Sequence, residues 1–192
     1  MDGHLNFCSN CGSPVVLTTP PGDHLPRHVC TNCGTVHYQN PRLVLGCVPV
    51  WEDRILLCRR AIEPRRGYWT VPAGFMENGE SLQAAAAREC LEEANAVVEI
   101  GSLLAVVSVV HAHQVHVMFR ARLLRPEFSA GPESEEVGLY REDEIPWPDI
   151  AFPSGEFTLR RFFADRAAGH EQHHVSVLDR SLPRPGSPAR AP

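Results

Sequence analysis

The chain predicts an α/β fold with a small, separately stabilised module ahead of it. Three observations carry that prediction. Two Cys-x-x-Cys-Gly knuckles stand at the N-terminus, at Cys8/Cys11 and Cys30/Cys33. Apolar runs of strand length recur from residue 43 onward. Between them lies one strong helix signal over residues 81–94, opened by Ser81 and closed by Asn95.

Eighteen residues separate Cys11 from Cys30. Soft thiolates at this spacing select Zn²⁺ in a closed tetrahedral site. The residues between, 14–29, hold Pro20, Pro21 and Gly22 and read as a hairpin-like ribbon. Residues 1–40 are therefore taken as a zinc ribbon with Cys8, Cys11, Cys30 and Cys33 as ligands. The ion's task is to hold a segment too small to fold on its own apolar surface. Within that segment Arg27 is the one basic residue of the Lys/Arg type, set against Asp2 and Asp23. A nucleic-acid grip needs a basic surface, so nucleic acid is disfavoured as a partner.

The domain proper is expected over residues 41–168. Residues 43–50 and 55–58 read as strands around a turn at Glu52 and Asp53, and Pro49 implies an edge or a bulge. Arg59, Arg60, Arg65 and Arg66 follow, then Trp69 and Pro72. Past the helix, 97–100, 103–110 and 115–124 read as strands. His111 and His113 would share one strand face, with His116 on the other. The loop 131–136 carries Glu133, Glu135 and Glu136. A last helix is expected over 155–168, capped by Ser154, with Phe157, Phe162 and Phe163 available for burial. Residues 169–192 are Pro- and Arg-rich toward the end and read as a disordered tail.

The central helix carries Arg88, Glu89, Glu92 and Glu93. Glutamates at i, i+3 and i+4 share one helix face. Like charges about 4 Å apart repel by about 4 kcal/mol at an effective dielectric of about 20. Arg88 can pair with Glu92 but cannot neutralise all three. Oxygen ligands with excess negative charge favour Mg²⁺ or Mn²⁺.

Gly74, five residues, Glu80, seven residues, then Arg88-Glu89-x-x-Glu92-Glu93 resembles the Nudix box. Asn95 and Ala96 stand where that pattern has Gly and an aliphatic residue. The resemblance implies an α/β/α sandwich with a mixed sheet. It implies a Mg²⁺-dependent hydrolase that splits the diphosphate bridge of a nucleotide substrate. Glu89, Glu92, Glu93 and the Ala73 carbonyl would be metal ligands. Glu89 or Glu136 would be the base, with Arg88 orienting the helix carboxylates. Arg59, Arg60 and Trp69 are the candidate substrate contacts. A ribbon ahead of such a domain resembles the NADH pyrophosphatases and the FAD or ADP-ribose branch. The NADH branch carries a Ser-Gln-Pro-Trp-Pro-Phe-Pro-x-Ser run soon after the box. Here Pro146-Trp147-Pro148 and Phe152-Pro153-Ser154 only echo it, further along. FAD or ADP-ribose is therefore expected first, with NADH, NAD or NAD-capped RNA as the alternative. A non-catalytic nucleotide sensor is the second alternative. The layout also implies a homodimer.

Net charge is −5, and all 18 Lys/Arg positions are arginine. Any phosphate contact from a basic side chain must then use a planar guanidinium fork. No apolar run approaches the roughly 20 residues of a membrane span. No basic segment with an apolar stretch opens the chain, so the cytoplasm is the expected compartment.

Overall fold

A computed structural model describes residues 5–179. The chain divides into two compact units, Met1–Pro41 and Arg42–Pro192.

The first unit is a three-stranded antiparallel sheet of β1 (Val15–Thr18), β2 (Arg27–Cys30) and β3 (Val36–His37), in that order. Val15 pairs with Cys30 and His28 with His37. Phe7, Val16, Leu17 and Leu25 are exposed. So few buried apolar side chains cannot offset the entropy of ordering the segment.

The second unit begins with β4 (Arg42–Trp51), β5 (Arg54–Arg60), β6 (Trp69–Thr70) and β7 (Ala73–Phe75). Helix α1 (Leu82–Ala94) follows, then β8 (Val98–Val109), β9 (Gln114–Leu123) and β10 (Ser134–Tyr140). Helix α2 (Pro153–Ala168) and β11 (His174–Leu178) complete it. The sheet runs β10-β5-β4-β9-β8-β11, with β6 on β5 and β7 on β4. It is mixed: β4/β9 and β8/β11 are parallel, and the other pairs antiparallel. Alternation along the strands sends Leu45, Cys47, Leu56, Cys58 and Phe119 toward Ala86 and Cys90 of α1. Val48, Ile55, Leu57 and Met118 go to the other face, against Leu159, Phe162 and Phe163 of α2. Two helical layers thus enclose the sheet, as the resemblance implied. Among the described residues no helix is long and apolar enough to cross a membrane.

Several local expectations need correction. Pro49 lies in an interior strand, fully buried and opposite Ala121 of β9. Its nitrogen falls on the same side as the Cys47 N–H, which leaves the strand for the Pro72 carbonyl. There β4 has no ladder partner between its pairings with β7 and β5, so the missing N–H costs nothing. The two strands expected over 97–110 are one strand, β8, with irregular register around Gly101 and Ser102. His111 lies in a 3₁₀ turn and His113 has φ of 51°, so the two do not share a strand face. Helix α2 is capped by Phe152 with Pro153 at N1, and Ser154 is inside it. Proline's fixed φ starts the helix two positions earlier than the serine cap would.

The tail also differs. Residues 174–178 pair in parallel with β8 from His174/Ala105 to Leu178/Val109. A polar hub fastens them. Asp165 of α2 is buried and contacts Arg120, the His174 ring at 3.0 Å and the Gln172 N–H at 3.1 Å. Arg120 also donates to the Leu103 and Gln172 carbonyls, each at 3.0 Å. Buried charge is tolerable when so fully paired. The remainder of the expected tail, 180–192, lies outside the described residues.

Candidate active site and cysteine cluster

Helix α1 starts and stops as its sequence dictates. The Ser81 Oγ accepts from the Ala84 N–H at 3.1 Å. Asn95 takes the left-handed conformation, φ 48°, and its N–H donates to the Leu91 carbonyl. The buried stripe is Ala85, Ala86, Glu89, Cys90, Glu93 and Ala94. Two of the three glutamates therefore belong to the packed side of the helix, where alanines leave them room. Glu92 sits at the rim, with its side chain 58% exposed.

Arg88 is the hub of the site. Its Nε reaches Glu80 at 2.6 Å, its Nη1 reaches Glu89 at 2.7 Å and Glu92 at 2.9 Å, and its Nη2 donates to the Phe75 carbonyl at 3.0 Å. Arg88 thereby ties the helix to the glycine-led loop. The same bond holds the Glu80 carboxyl down at about 2. Glu80 in turn accepts from the Glu77 N–H at 2.9 Å, which folds the loop onto itself.

Glu93 lies in the opposite electrostatic setting. Burial pushes its carboxyl up to about 8, opposed by the Ala73 N–H at 3.3 Å and by the charge of Arg60. Burial also raises Glu89, against the pull of Arg88. Gly74 lies against the Glu89 carboxylate so closely that a Cβ there would overlap it. A cradle shaped by a missing side chain, lined by carboxylate oxygens short of positive charge, fits a hard divalent cation. The glutamates do not converge on a single point, however. Among the described residues, only the four cysteines bring their ligand atoms within 4.8 Å of one another.

The acidic loop docks onto the end of α1. The Gly131 N–H donates to the Glu93 carbonyl and the Ser129 N–H to the Ala94 carbonyl, each at 2.9 Å. A Cβ at Gly131 would overlap the Glu92 carbonyl. The Asn95 side chain donates to the Ser129 carbonyl at 3.3 Å, its Oγ at 3.1 Å and the Ala130 carbonyl at 3.3 Å. From this loop the charge of Glu133 raises both Glu89 and Glu93. Glu136, the loop residue favoured from sequence, instead aligns with Arg59 across β10 and β5, 3.7 Å from its guanidinium. The bulge between Ser134 and Glu136 sets that difference, and residue order alone does not reveal it.

The three substrate-contact candidates separate. Arg59 donates to the Gly67 carbonyl at 3.0 Å and faces Glu135 and Glu136, so its charge is already answered. Arg60 donates through Nε to the Pro64 carbonyl at 2.9 Å and stacks on Phe152. Trp69 is half-buried and packs edge-on against Tyr140 at 5.1 Å, as a core residue does. His116 is half-buried, with Nε2 3.0 Å from the Gln114 side-chain oxygen, and burial lowers its pKa. A concavity of roughly 700 Å³ is lined in part by Glu99, Arg120, Asp165 and Glu171, none of them in the acidic site. Its buried charges already answer one another, so the carboxylate chemistry and not the size of the hollow marks the site.

In the first unit the knuckles repeat one geometry. Gly12 and Gly34 have φ of 73° and 71°, and their N–H groups close back on the Cys8 and Cys30 carbonyls. Backbone N–H groups of Asn10 and Asn32 point at the Cys8 and Cys30 sulfurs, each at 3.4 Å. The Sγ–Sγ separations are 3.7 Å for Cys8/Cys33 and 3.4 Å for Cys11/Cys30. Tetrahedral Zn–S bonds of about 2.3 Å require about 3.8 Å, so the cluster is close to the size of that ion.

Comparison with known proteins decides the family. Residues 6–39 match the "Nudix N-terminal" zinc-ribbon family and residues 40–165 the "NUDIX domain" family. The chain belongs to the Nudix family. A crystal structure of a NUDIX hydrolase from Nitrosomonas europaea is 53% identical, with a TM-score of 0.88, covering 91% of this chain and 99% of that one. The NAD-capped RNA hydrolase NudC of Edwardsiella ictaluri is 31% identical over 168 residues, 84% of this chain and 60% of that protein. This Nudix chain thus spans about 60% of the length of that relative. The ADP-ribose pyrophosphatase of Methanocaldococcus jannaschii is 27% identical over 113 residues, 57% of this chain and 67% of that protein. This Nudix protein is a hydrolase of phosphoanhydride bonds.

Proposed function

We propose that this Nudix hydrolase cleaves the diphosphate bridge of an ADP-ribosyl compound, NAD(H) or ADP-ribose, to AMP and a phosphorylated product. The observation that carries the reading is the pair of buried carboxylates on α1, Glu89 against Gly74 and Glu93 against the Ala73 N–H, with Arg88 shared among three glutamates and none of its bonds reaching Glu93. Mg²⁺ or Mn²⁺ held there would polarise a phosphoryl oxygen and acidify the attacking water. Glu89, Glu92 and Glu93 would hold the ion, with the Ala73 carbonyl as a further ligand. Arg88 orients the helix carboxylates. Glu133 or Glu89 takes the proton from water, in preference to Glu136. Arg60 faces the diphosphate. Zn²⁺ in the four-thiolate cluster keeps the ribbon folded.

The expectation of FAD gains nothing from the relatives, which are named for NAD-capped RNA and ADP-ribose. The match to the NudC enzyme over both ribbon and Nudix residues supports the NAD reading. The intact Arg88-Glu89-x-x-Glu92-Glu93 argues against a non-catalytic sensor. Measuring AMP release in Mg²⁺ from NAD, NADH, ADP-ribose, FAD and NAD-capped RNA tests the proposal. The highest kcat/KM should fall on NAD(H) or ADP-ribose. Hydrolysis of FAD alone overturns the substrate, and no hydrolysis of any member overturns the reading.

A further inference from the structure

A second arginine, besides Arg88, acts on the catalytic carboxylates and is held in an unusual way. Arg60 ends β5 beside the docked loop: Ser134 is its strand partner, and the next residue's N–H, Ala61, donates to the Glu133 carbonyl at 2.8 Å. Its charge acts on Glu93. Yet among the described residues its guanidinium forms no ion pair and donates through Nε alone, to the Pro64 carbonyl. Its guanidinium carbon lies 5.2 Å from the centre of the Phe152 ring. Phe152 comes from far along the chain. It caps α2, and the Ala151 N–H before it donates to the Trp69 carbonyl at 2.8 Å. Arg59, one residue earlier, spends its charge on Glu135 and Glu136.

We propose that Phe152 is a positioning residue for substrate: its ring and the Pro64 carbonyl fix the Arg60 guanidinium as a preset fork whose two Nη groups grip the diphosphate beside Glu93. The inference rests on the reading above and deepens it. A guanidinium with its face stacked and one nitrogen tied has little rotamer freedom left to lose on binding. Two parallel donors then match the non-bridging oxygens of a phosphate. The stack is worth a modest factor at a partly exposed site.

The test pairs Phe152→Leu, which keeps apolar bulk and removes the ring, with Phe152→Tyr, which keeps both. Arg60→Gln and the Arg60→Gln/Phe152→Leu double variant complete the set. Melting temperatures confirm that each folds. Kd for inorganic diphosphate is read by calorimetry, and kcat and KM on ADP-ribose or NAD by AMP release. Phe152→Leu should weaken diphosphate binding and raise KM by about three- to fivefold, with kcat within about twofold of the original. Phe152→Tyr should restore both constants. The double variant should be no worse than Arg60→Gln, because the ring acts only through the guanidinium. Unchanged binding in Phe152→Leu, or losses that add in full in the double variant, overturns the inference. If the parent protein binds diphosphate but hydrolyses no nucleotide, the proposed function fails while the calorimetry still judges the fork.

Discussion

The two candidate metal sites solve opposite problems. In the ribbon, four sulfurs converge, knuckle N–H groups point at them, and little else holds the strands. In the Nudix unit the fold is complete without an ion: two cores flank the sheet, and Arg88 ties three carboxylates while Glu93 stays buried and short of charge. The first arrangement suits an ion that is part of the structure. The second suits one that comes and goes with substrate, because an internal cation keeps the ligands in place meanwhile. The energetic consequence differs accordingly: binding in the ribbon is folding free energy, whereas binding in the acidic site relieves a buried carboxylate.

The contrast is broken most directly at its extremes. Replacing Glu93 by Gln should lower kcat by about 10²–10⁴-fold with the circular dichroism spectrum unchanged; near-normal turnover removes Glu93 from the ion site. Stripping Zn²⁺, or Cys33→Ser, should abolish amide protection across residues 8–37 in hydrogen exchange. Protection in α1 and the large sheet should persist; if the whole chain unfolds, the two units are not independent in stability. Gly74→Ala should cost about 10²-fold in kcat/KM, since the new methyl displaces the Glu89 carboxylate.

Smaller effects sharpen the comparison. Glu93 is raised from 4.5 to about 8 by burial. A raised folded pKa means the native state holds the proton more tightly than the unfolded chain. Stability from this group is full below pH 4.5 and is lost as pH rises through about 8. The metal-free protein should therefore show a falling melting temperature over that window. Glu93→Gln should flatten the slope by at least about 1 kcal/mol, or about 2–4 °C, and Mg²⁺ should do the same to the parent. Last, Glu133→Gln should slow kcat by at least about tenfold and Glu136→Gln by less than about twofold. The reverse order would restore the loop residue first favoured from sequence.

What could be read from residue order follows from how local each cause is. The limits of α1 were legible because Ser81 and Asn95 act within one turn of themselves. The knuckles were legible because each ligand pair and its glycine lie within five residues. Strand β11 was not, because its pairing with β8 and the Arg120–Gln172 bond beside it join positions 52 to 69 residues apart, and its outer valines look like those of a solvated tail. Which loop glutamate's charge bears on Glu89 and Glu93 was also beyond reach. It depends on where Gly131 lands on the end of α1 and on the bulge between Ser134 and Glu136.

Asn95 shows how one substitution in a family pattern can add a capability. A glycine there would reverse the chain with less backbone strain, yet it could offer nothing to Ser129 and Ala130. The carboxamide fastens that segment, so carboxylates from two distant parts of the sequence ride on one rigid piece. Lengthening or shortening residues 125–130 should therefore disturb ion affinity before it disturbs the sheet.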